Sequence, residues 1–238
     1  MKIFIDSADL DEIKKYLDWG VCDGVTTNPT ICLNCGVKGG LPGIKKRITE
    51  IARLTAPRPV SVEVTSEEPN EILKQARDYA GLAKNIAVKV TITDRQGKSL
   101  LPVIKKLVSE GIRVNVTAMM TFNQAILAAK AIEAGCKENP RAKAPNFISI
   151  FAGRISEEQG VQRAFQVIKD TRDWLDFHNI KGVEIIVGSL RSPENVELWA
   201  RTGAHVLTIP PEIIAKSLQA ARTKETVAQF IDDAKKHV

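Results

Sequence analysis

The chain has 238 residues, of which 44% are hydrophobic, 26% charged and 5% aromatic, and its net charge is +6. The length suits one α/β domain; no run approaches the roughly 20 apolar residues of a membrane span, and Asp6 interrupts the N-terminus too early for a signal peptide. The basic residues are dispersed as pairs such as Lys14-Lys15, without a nucleic-acid-binding motif, and the cysteines are too few and scattered for a disulfide framework. We therefore expect a reduced, cytoplasmic protein that binds neither nucleic acid nor membrane.

Short apolar runs alternate with helical patterns along the chain. The predicted strands are 2–6, 24–28, 60–65, 86–92, 113–118, 147–152, 184–189 and 205–209. The predicted helices are near 8–19, 42–55, 69–83, 98–110, 121–135, 158–178, 193–202 and 211–221. An open doubly wound sheet usually stops at about six strands, so this repetition predicts a single (β/α)8 TIM barrel over residues 1–221.

An extra C-terminal helix is predicted within residues 222–238, outside the repeating units. Its apolar stripe includes Val227, Phe230 and Ile231. Such a stripe needs a surface to cover. That surface is either the chain's own barrel or a neighbouring subunit.

The strands are expected to turn polar faces into the barrel. Side chains alternate between the two faces of a strand, so Ser61 and Glu63 share one face, as do Ala87, Lys89 and Thr91. Helices pack outside such a barrel and meet the apolar faces. A charged lumen is costly, since barrel interiors normally hold aliphatic side chains, and it indicates a functional site.

Lys89 is the first candidate for chemistry. An ammonium group inside a barrel loses solvation, which lowers its pKa. The free amine is a nucleophile that forms Schiff bases with ketones and aldehydes. A lysine that reaches the barrel rim, or that pairs structurally with Glu63, is the alternative, and the pattern leaves both open.

Two carboxylates are candidates for general acid–base catalysis. Asp6 ends the first strand and Glu63 lies near the end of the third. Ser7 is predicted to cap the first helix, which leaves Asp6 free. Glu63 is equally suited to an ion pair with Lys89.

Two arginines mark a candidate anion site. Arg154 follows the sixth strand, and Ser189-Leu190-Arg191 follows the seventh. Loops at the carboxyl ends of late strands often bind phosphate in barrels, and arginine binds phosphate bidentately.

Motifs at almost every strand end carry a family resemblance. They are Lys2 to Asp6 with Ala8, then 23–30, 60–64, 86–90, 115–118, 151–154 and 188–191. The string Thr26-Thr27-Asn28-Pro29-Thr30 is the most specific. Together they resemble the short microbial transaldolases and the related fructose-6-phosphate aldolases over essentially the whole chain.

The resemblance implies a mechanism with named roles. Lys89 would form the Schiff base, Asp6 would take the C4-hydroxyl proton, and Glu63 with Thr117 would hold the water used in imine formation and hydrolysis. The remaining implied residues contact substrate (Thr26, Asn28, Asn115, Ser149 and Phe151) or phosphate (Arg154, Ser189 and Arg191). The resemblance also implies sugar-phosphate substrates of the pentose phosphate pathway, no metal or other cofactor, and a homo-oligomer, either pentamer or decamer.

Transfer and aldol cleavage are the two activities of such a family. Glu63, Phe151 and Arg191 resemble the transferase pattern, whereas the aldolase branch typically has glutamine and tyrosine at the first two positions. We therefore expect transfer of a dihydroxyacetone unit, with release of free dihydroxyacetone as the alternative. Ile150 and Thr91 stand where the family often has proline, which bears on the acceptor preference.

The cysteines, the histidines and one basic segment do not point to a function. Cys32 and Cys35 have the spacing of half a zinc site or a redox pair, but no second such pair accompanies them, and ordinary thiols are expected. His178, His205 and His237 are dispersed, and the basic segment 137–146 is expected to be a loop. A non-catalytic barrel that binds a sugar phosphate remains the alternative to an enzyme.

Overall fold

The computed structural model describes residues 1–140, 142 and 145–236, which form a closed barrel of eight parallel strands in chain order. The strands are β1 (Lys2–Asp6), β2 (Gly24–Thr26), β3 (Val60–Glu63), β4 (Ile86–Thr91), β5 (Val114–Met119), β6 (Asn146–Phe151), β7 (Val183–Gly188) and β8 (Val206–Ile209). The helices are α1 (Leu10–Asp18), α2 (Pro29–Asn34), α3 (Gly40–Thr55), α4 (Pro69–Ala80), α5 (Leu101–Ser109), α6 (Phe122–Glu138), α7 (Ala152–Gln159), α8 (Val161–Phe177), α9 (Pro193–Ala200), α10 (Pro211–Ser217) and α11 (Ala221–Lys235). At least one helix follows every strand, which confirms the predicted (β/α)8 barrel.

Two short helices, α2 and α7, were not predicted as separate elements. Asn28 begins α2, because its side chain accepts a hydrogen bond from the N–H of Ile31. Gly160 separates α7 from α8, with φ at +90°. A helix cannot continue through that backbone conformation. The predicted helix over 158–178 therefore corresponds to α8, which begins at Val161, and α7 lies almost entirely before it.

The predicted cap of the first helix is wrong. Asp9, not Ser7, is the N-cap of α1, and its Oδ1 accepts the N–H groups of Asp11 and Glu12. The Ser7 hydroxyl instead accepts the N–H of Asp9. The helix begins two residues later than predicted, so Ser7 belongs to the turn before it. Asp6 is not used as a cap in either arrangement.

The apolar packing forms two separate groups. The larger lies between the strands and the surrounding helices and includes Val62, Val88 and Val116. The smaller lies inside the barrel and closes the lower part of the lumen; we call it the lumen floor, and it consists of Phe4, Ala87, Phe147, Ile186 and Val206. The polar part of the lumen that holds Asp6 and Lys89 lies above this floor, at the carboxyl ends of the strands.

Phe4 and Phe147 form the centre of the lumen floor. Their rings meet edge to face with centroids 5.7 Å apart. A Cβ at position 24 would lie 2.7 Å from the Phe4 ring, so glycine at the start of β2 makes room for it. Because the strand period is two, the next inward residue after Phe4 is Asp6, and the next after Phe147 is Ser149.

Helix α11 lies apart from the barrel's packing. None of its described residues is buried. Val227, Phe230 and Ile231 are 50%, 67% and 53% exposed. The apolar stripe of α11 is therefore not covered by the chain's own barrel. No helix within the described ranges has the length and apolarity needed to cross a bilayer.

Candidate active site

Lys89 projects from β4 into the barrel above the lumen floor. The residue is 4% exposed, so its side chain does not extend to solvent at the rim. Its Nζ lies 3.2 Å from Oε2 of Glu63 and donates a hydrogen bond to the carbonyl oxygen of Thr27 at 3.1 Å. Glu63 is the register partner of Lys89 on β3, so the neighbouring strands bring the amine and the carboxylate together.

Asp6 is the last residue of β1 and, like Lys89, faces the lumen above its floor. Its Oδ1 accepts a hydrogen bond of 2.5 Å from the Thr26 hydroxyl, which also contacts the hydroxyl of Thr208. Desolvation raises the pKa of Asp6, while the Thr26 hydrogen bond and the charge of Lys89 act in the opposite direction. The net direction is upward, as is typical of carboxylates that exchange protons near neutral pH.

Thr208 is a site residue that the sequence analysis missed. It lies on β8 two residues after Val206 of the lumen floor, so it faces inward above that floor. It is buried and supports Thr26, which in turn holds Asp6. Thr208 is the single polar residue of β8, which by itself is too weak a signal to mark a site residue.

Three side chains from β3, β5 and β6 form a row of hydrogen bonds across the lumen. The Asn115 amide nitrogen donates to the Ser61 hydroxyl at 3.0 Å, and its carbonyl oxygen accepts from the Ser149 hydroxyl at 2.7 Å. Both ends of the Asn115 amide are thus engaged by protein groups. Its observed contacts fix the orientation of Ser149.

A cavity of about 210 Å³ lies above Lys89. Most of the predicted residues line it, together with Thr30, Ile31, Gly188 and Thr208, which were not predicted. The full lining is Asp6, Thr26, Asn28, Thr30, Ile31, Lys89, Ser149, Phe151, Arg154, Gly188, Ser189, Arg191 and Thr208. Thr30 and Ile31 belong to α2. Because α2 was not predicted, these two residues were not expected to line the cavity.

Three predicted residues, Glu63, Asn115 and Thr117, are not part of this lining but adjoin it through Lys89 and its neighbours. Asn115 is the register partner of Lys89 on β5, and Thr117 is the partner of Thr91. The Thr117 hydroxyl is buried and has no hydrogen-bond partner within the described part of the chain. The strand is irregular immediately after it, with φ of +61° at Ala118.

The cavity is cationic at the rim formed by β6 and β7. Arg154 lies in the first turn of α7, with its guanidinium carbon 5.8 Å from the centroid of the Phe151 ring. Arg191 lies in the loop after β7, with Nε 3.4 Å from Glu157. A Cβ at position 153 would lie 1.9 Å from the carbonyl oxygen of Ser189, so Gly153 allows the two loops to approach.

A second, larger cleft of about 630 Å³ adjoins this cavity. The two share Asp6, Ile31 and Arg191. The cleft extends between α1 and α10 and is also lined by Ser7 and Cys35. The candidate site therefore opens beside Asp6 onto a surface groove.

The remaining sequence features lie elsewhere. His205 lies at the opposite end of the barrel, where its Nδ1 accepts the N–H of Ile185, and His178 packs against Trp174 and Phe177. His237 and parts of the segment 137–146 lie outside the described residues. Among the residues described, no cluster of three or more His, Cys, Asp or Glu is arranged to hold a metal ion.

Comparisons with known proteins point to one family. A profile described as transaldolase/fructose-6-phosphate aldolase matches residues 3–238. A probable transaldolase of Lactiplantibacillus plantarum is 36% identical over 99% of this chain and 97% of its own length. A probable transaldolase of Thermoplasma acidophilum is 36% identical over 99% of this chain and 96% of its own.

Solved structures match the fold alone. Thiamine phosphate pyrophosphorylase from Pyrococcus furiosus superimposes with a TM-score of 0.56 at 8% identity, over 88% of this chain and 85% of that one.

Proposed function

The chain belongs to the transaldolase/fructose-6-phosphate aldolase family, and from this premise we propose that it is a transaldolase acting through a Schiff base on Lys89. It transfers a dihydroxyacetone unit from sedoheptulose 7-phosphate or fructose 6-phosphate to an aldose phosphate. The observation that carries this proposal is the amine of Lys89, enclosed in the lumen, paired with Glu63 and sharing a cavity with Asp6.

The first step is attack of the Lys89 amine on the ketose carbonyl. The ammonium must lose a proton, and the Glu63 carboxylate, 3.2 Å away, is positioned to accept it. Collapse of the carbinolamine to an imine releases water. The buried Thr117 hydroxyl needs a hydrogen-bond partner, and together with Glu63 it suits a site for that water.

The second step is cleavage of the C3–C4 bond. Asp6 takes the C4-hydroxyl proton, and the bonding electrons flow to the protonated imine, which leaves an enamine on Lys89. The raised pKa of Asp6 makes its carboxylate a stronger base than an ordinary aspartate. Thr26, supported by Thr208, holds that carboxylate in position.

Substrate orientation comes from hydroxyl and phosphate contacts. Asn28 uses its amide oxygen to cap α2, so its nitrogen is the atom that it offers to a substrate hydroxyl. Ser149, oriented by Asn115, offers its hydroxyl oxygen to a second one. Arg154, Ser189 and Arg191 bind the phosphate, which the start of α7 also favours electrostatically.

Transfer requires that the enamine survive until an aldehyde arrives. Phe151 lines the cavity without a hydroxyl that could hold water beside the enamine, and it packs against Arg154. This favours transfer over the alternative, an aldolase that releases free dihydroxyacetone.

One experiment separates these activities. The protein is incubated with fructose 6-phosphate, with and without erythrose 4-phosphate, and both products are quantified. We expect sedoheptulose 7-phosphate only when the acceptor is present. Release of dihydroxyacetone at a comparable rate without acceptor would favour the aldolase, and no turnover in either mixture would favour a non-catalytic sugar-phosphate-binding barrel.

We further propose a cytoplasmic enzyme of the pentose phosphate pathway that assembles as a pentamer or decamer. The support is the apolar stripe of α11, which its own barrel leaves exposed. Light scattering on the full chain and on a chain ending at Ala220 tests this role. An unchanged mass per particle, apart from the deleted residues, would exclude α11 as the contact between subunits.

A further inference from the structure

Two cysteines lie on the helix that forms one wall of the candidate site. Cys32 lies within α2 and is 3% exposed, whereas Cys35 is the C-cap of α2 and is partly exposed. Cys35 lines the larger cleft, beside Asp6 and Ser7, and its Sγ is 3.9 Å from the Ser7 hydroxyl. One thiol is thus accessible from the cleft, and the other is enclosed beneath it.

Their spacing on the helix is compatible with a disulfide. Residues three apart on an α-helix have Cα atoms about 5 Å apart, within the range of roughly 4.4–6.8 Å that disulfides span. The helical geometry persists to Cys35, because its N–H still bonds to the carbonyl of Ile31 at 2.9 Å. Burial raises the pKa of the Cys32 thiol, and the proximity of Cys35 raises it further.

We propose that Cys32 and Cys35 are a redox-modification site, which a hydroperoxide converts to a reversible disulfide that lowers the activity of the neighbouring site. The part of this proposal that concerns activity rests on the proposed function. The part that concerns the disulfide does not.

The chemistry proceeds in two balanced steps. Cys35 gives up its thiol proton and its sulfur attacks the peroxide, so that the S–H and O–O bonds break and an S–O bond forms, and the leaving alkoxide takes that proton to become an alcohol. The Cys32 sulfur then attacks the sulfenic acid, so that an S–S bond forms and the S–O bond breaks. The departing hydroxide takes the Cys32 proton and leaves as water. The two thiols are oxidised by two electrons in total, and the hydroperoxide is reduced to an alcohol and water.

The disulfide affects the site because α2 carries part of its lining. Asn28, Thr30 and Ile31 all face the cavity. An S–S bond of about 2.05 Å ties the Cys35 sulfur, which lies 3.9 Å from the hydroxyl of Ser7 beside Asp6, to Cys32. It also pulls on Cys32, whose N–H is bonded to the carbonyl of Asn28 at 3.0 Å. Displacements of this kind in substrate-positioning groups lower kcat/KM by about tenfold or more.

The test uses the full-length protein exposed to hydrogen peroxide and then to N-ethylmaleimide. Cleavage before Asp23 separates Cys22 from the pair, so the peptide beginning at Asp23 reports only Cys32 and Cys35. We expect that peptide to lose two hydrogens and to take up no maleimide. Oxidised protein should show about a tenfold lower kcat/KM, and dithiothreitol should restore both the mass and the activity.

Two variants make the assignment specific. Each is compared with itself before and after peroxide. Cys35→Ser should lose the response, whereas Cys136→Ser, which removes a half-buried thiol on α6, should keep it. Maleimide uptake by both cysteines after peroxide would overturn the proposal, as would an equal loss of activity in Cys35→Ser, or a disulfide that leaves kcat/KM unchanged. Reduced protein without any activity would count against the proposed function, while the peptide mass would still decide the disulfide.

Discussion

The lumen floor and the polar layer above it are built from the same strands, two residues apart. Phe4 and Phe147 are fully buried and pack against each other, whereas the next inward positions are Asp6 and Ser149. Apolar burial in the floor stabilises the fold, whereas the partly desolvated carboxylate and the buried amine of the upper layer destabilise it. A barrel of this kind divides stability and chemistry between successive inward positions along each strand. Substitutions in the two layers should therefore have opposite effects on stability and activity.

Asp6→Asn is the stronger test of the upper layer. The variant removes the proposed base while keeping an oxygen for the Thr26 hydrogen bond, so kcat/KM should fall by about 10²- to 10⁴-fold. Because desolvation raises the pKa of Asp6 in the folded state above its unfolded value, the ionised carboxylate destabilises the fold at neutral pH. The penalty begins to decrease as the pH falls to the folded pKa, and it is gone below the ordinary value of 3.8.

The variant should therefore be more stable than the parent at pH 7, with the difference shrinking in acid. Steady-state kinetics and urea unfolding at several pH values measure both effects. An Asp6→Asn protein that is fully active, or that is less stable than the parent at pH 7, would contradict the role assigned to the upper layer.

Phe147→Ala is the corresponding test of the lumen floor. Removing this ring leaves a cavity at the centre of the floor and should lower the free energy of unfolding by about 3–5 kcal/mol. Phe147→Leu, which keeps most of the volume, is the matched control and should cost less. Under conditions where the variants are folded, kcat/KM should change far less than in Asp6→Asn. A floor variant that loses activity without losing stability would show that the two layers are not separate.

Substitution of His205, at the end of the barrel remote from the site, should have the smallest effect on stability. Burial and the charge of Arg172 lower the pKa of His205 below its ordinary value of about 6.5. As the pH falls below that value the unfolded chain binds a proton first, so the folded protein loses stability between pH 6.5 and the lower folded pKa. His205→Gln should flatten this acid loss of stability, measured by thermal unfolding. The pH profile of kcat should not change, and a shift in it would connect the two ends of the barrel.

The strand pattern was sufficient to predict the barrel and the inward faces of β3, β4 and β5, because a period of two assigns each side chain to one face. The same logic places Asp6, Glu63 and Lys89 in one lumen. It did not find Thr208, since a single hydroxyl in an apolar strand has no distinct signal unless its neighbours are known. It also did not find α2 or α7, which are short helices that directly follow β2 and β6 and precede the longer helix of the same unit.

The hydrogen-bond partners of individual side chains could not be predicted from the sequence either. Asp9 rather than Ser7 caps α1. A shift of one or two residues in the start of the helix decides between them, and a sequence does not fix helix ends that closely. The engagement of Asn115 by Ser61 and Ser149 depends on the register of three strands, which a sequence does not specify. The free-amine form of Lys89 remains a prediction.

Borohydride trapping tests the central claim most directly. The protein is mixed with fructose 6-phosphate and sodium borohydride, and the site of any reduced adduct is mapped by peptide mass. We predict a stable adduct on Lys89 that is absent from Lys89→Met and unchanged in Lys84→Met, which removes the exposed lysine just before the same strand. An adduct on another lysine, or none on a protein that turns the sugar phosphate over, would contradict the account.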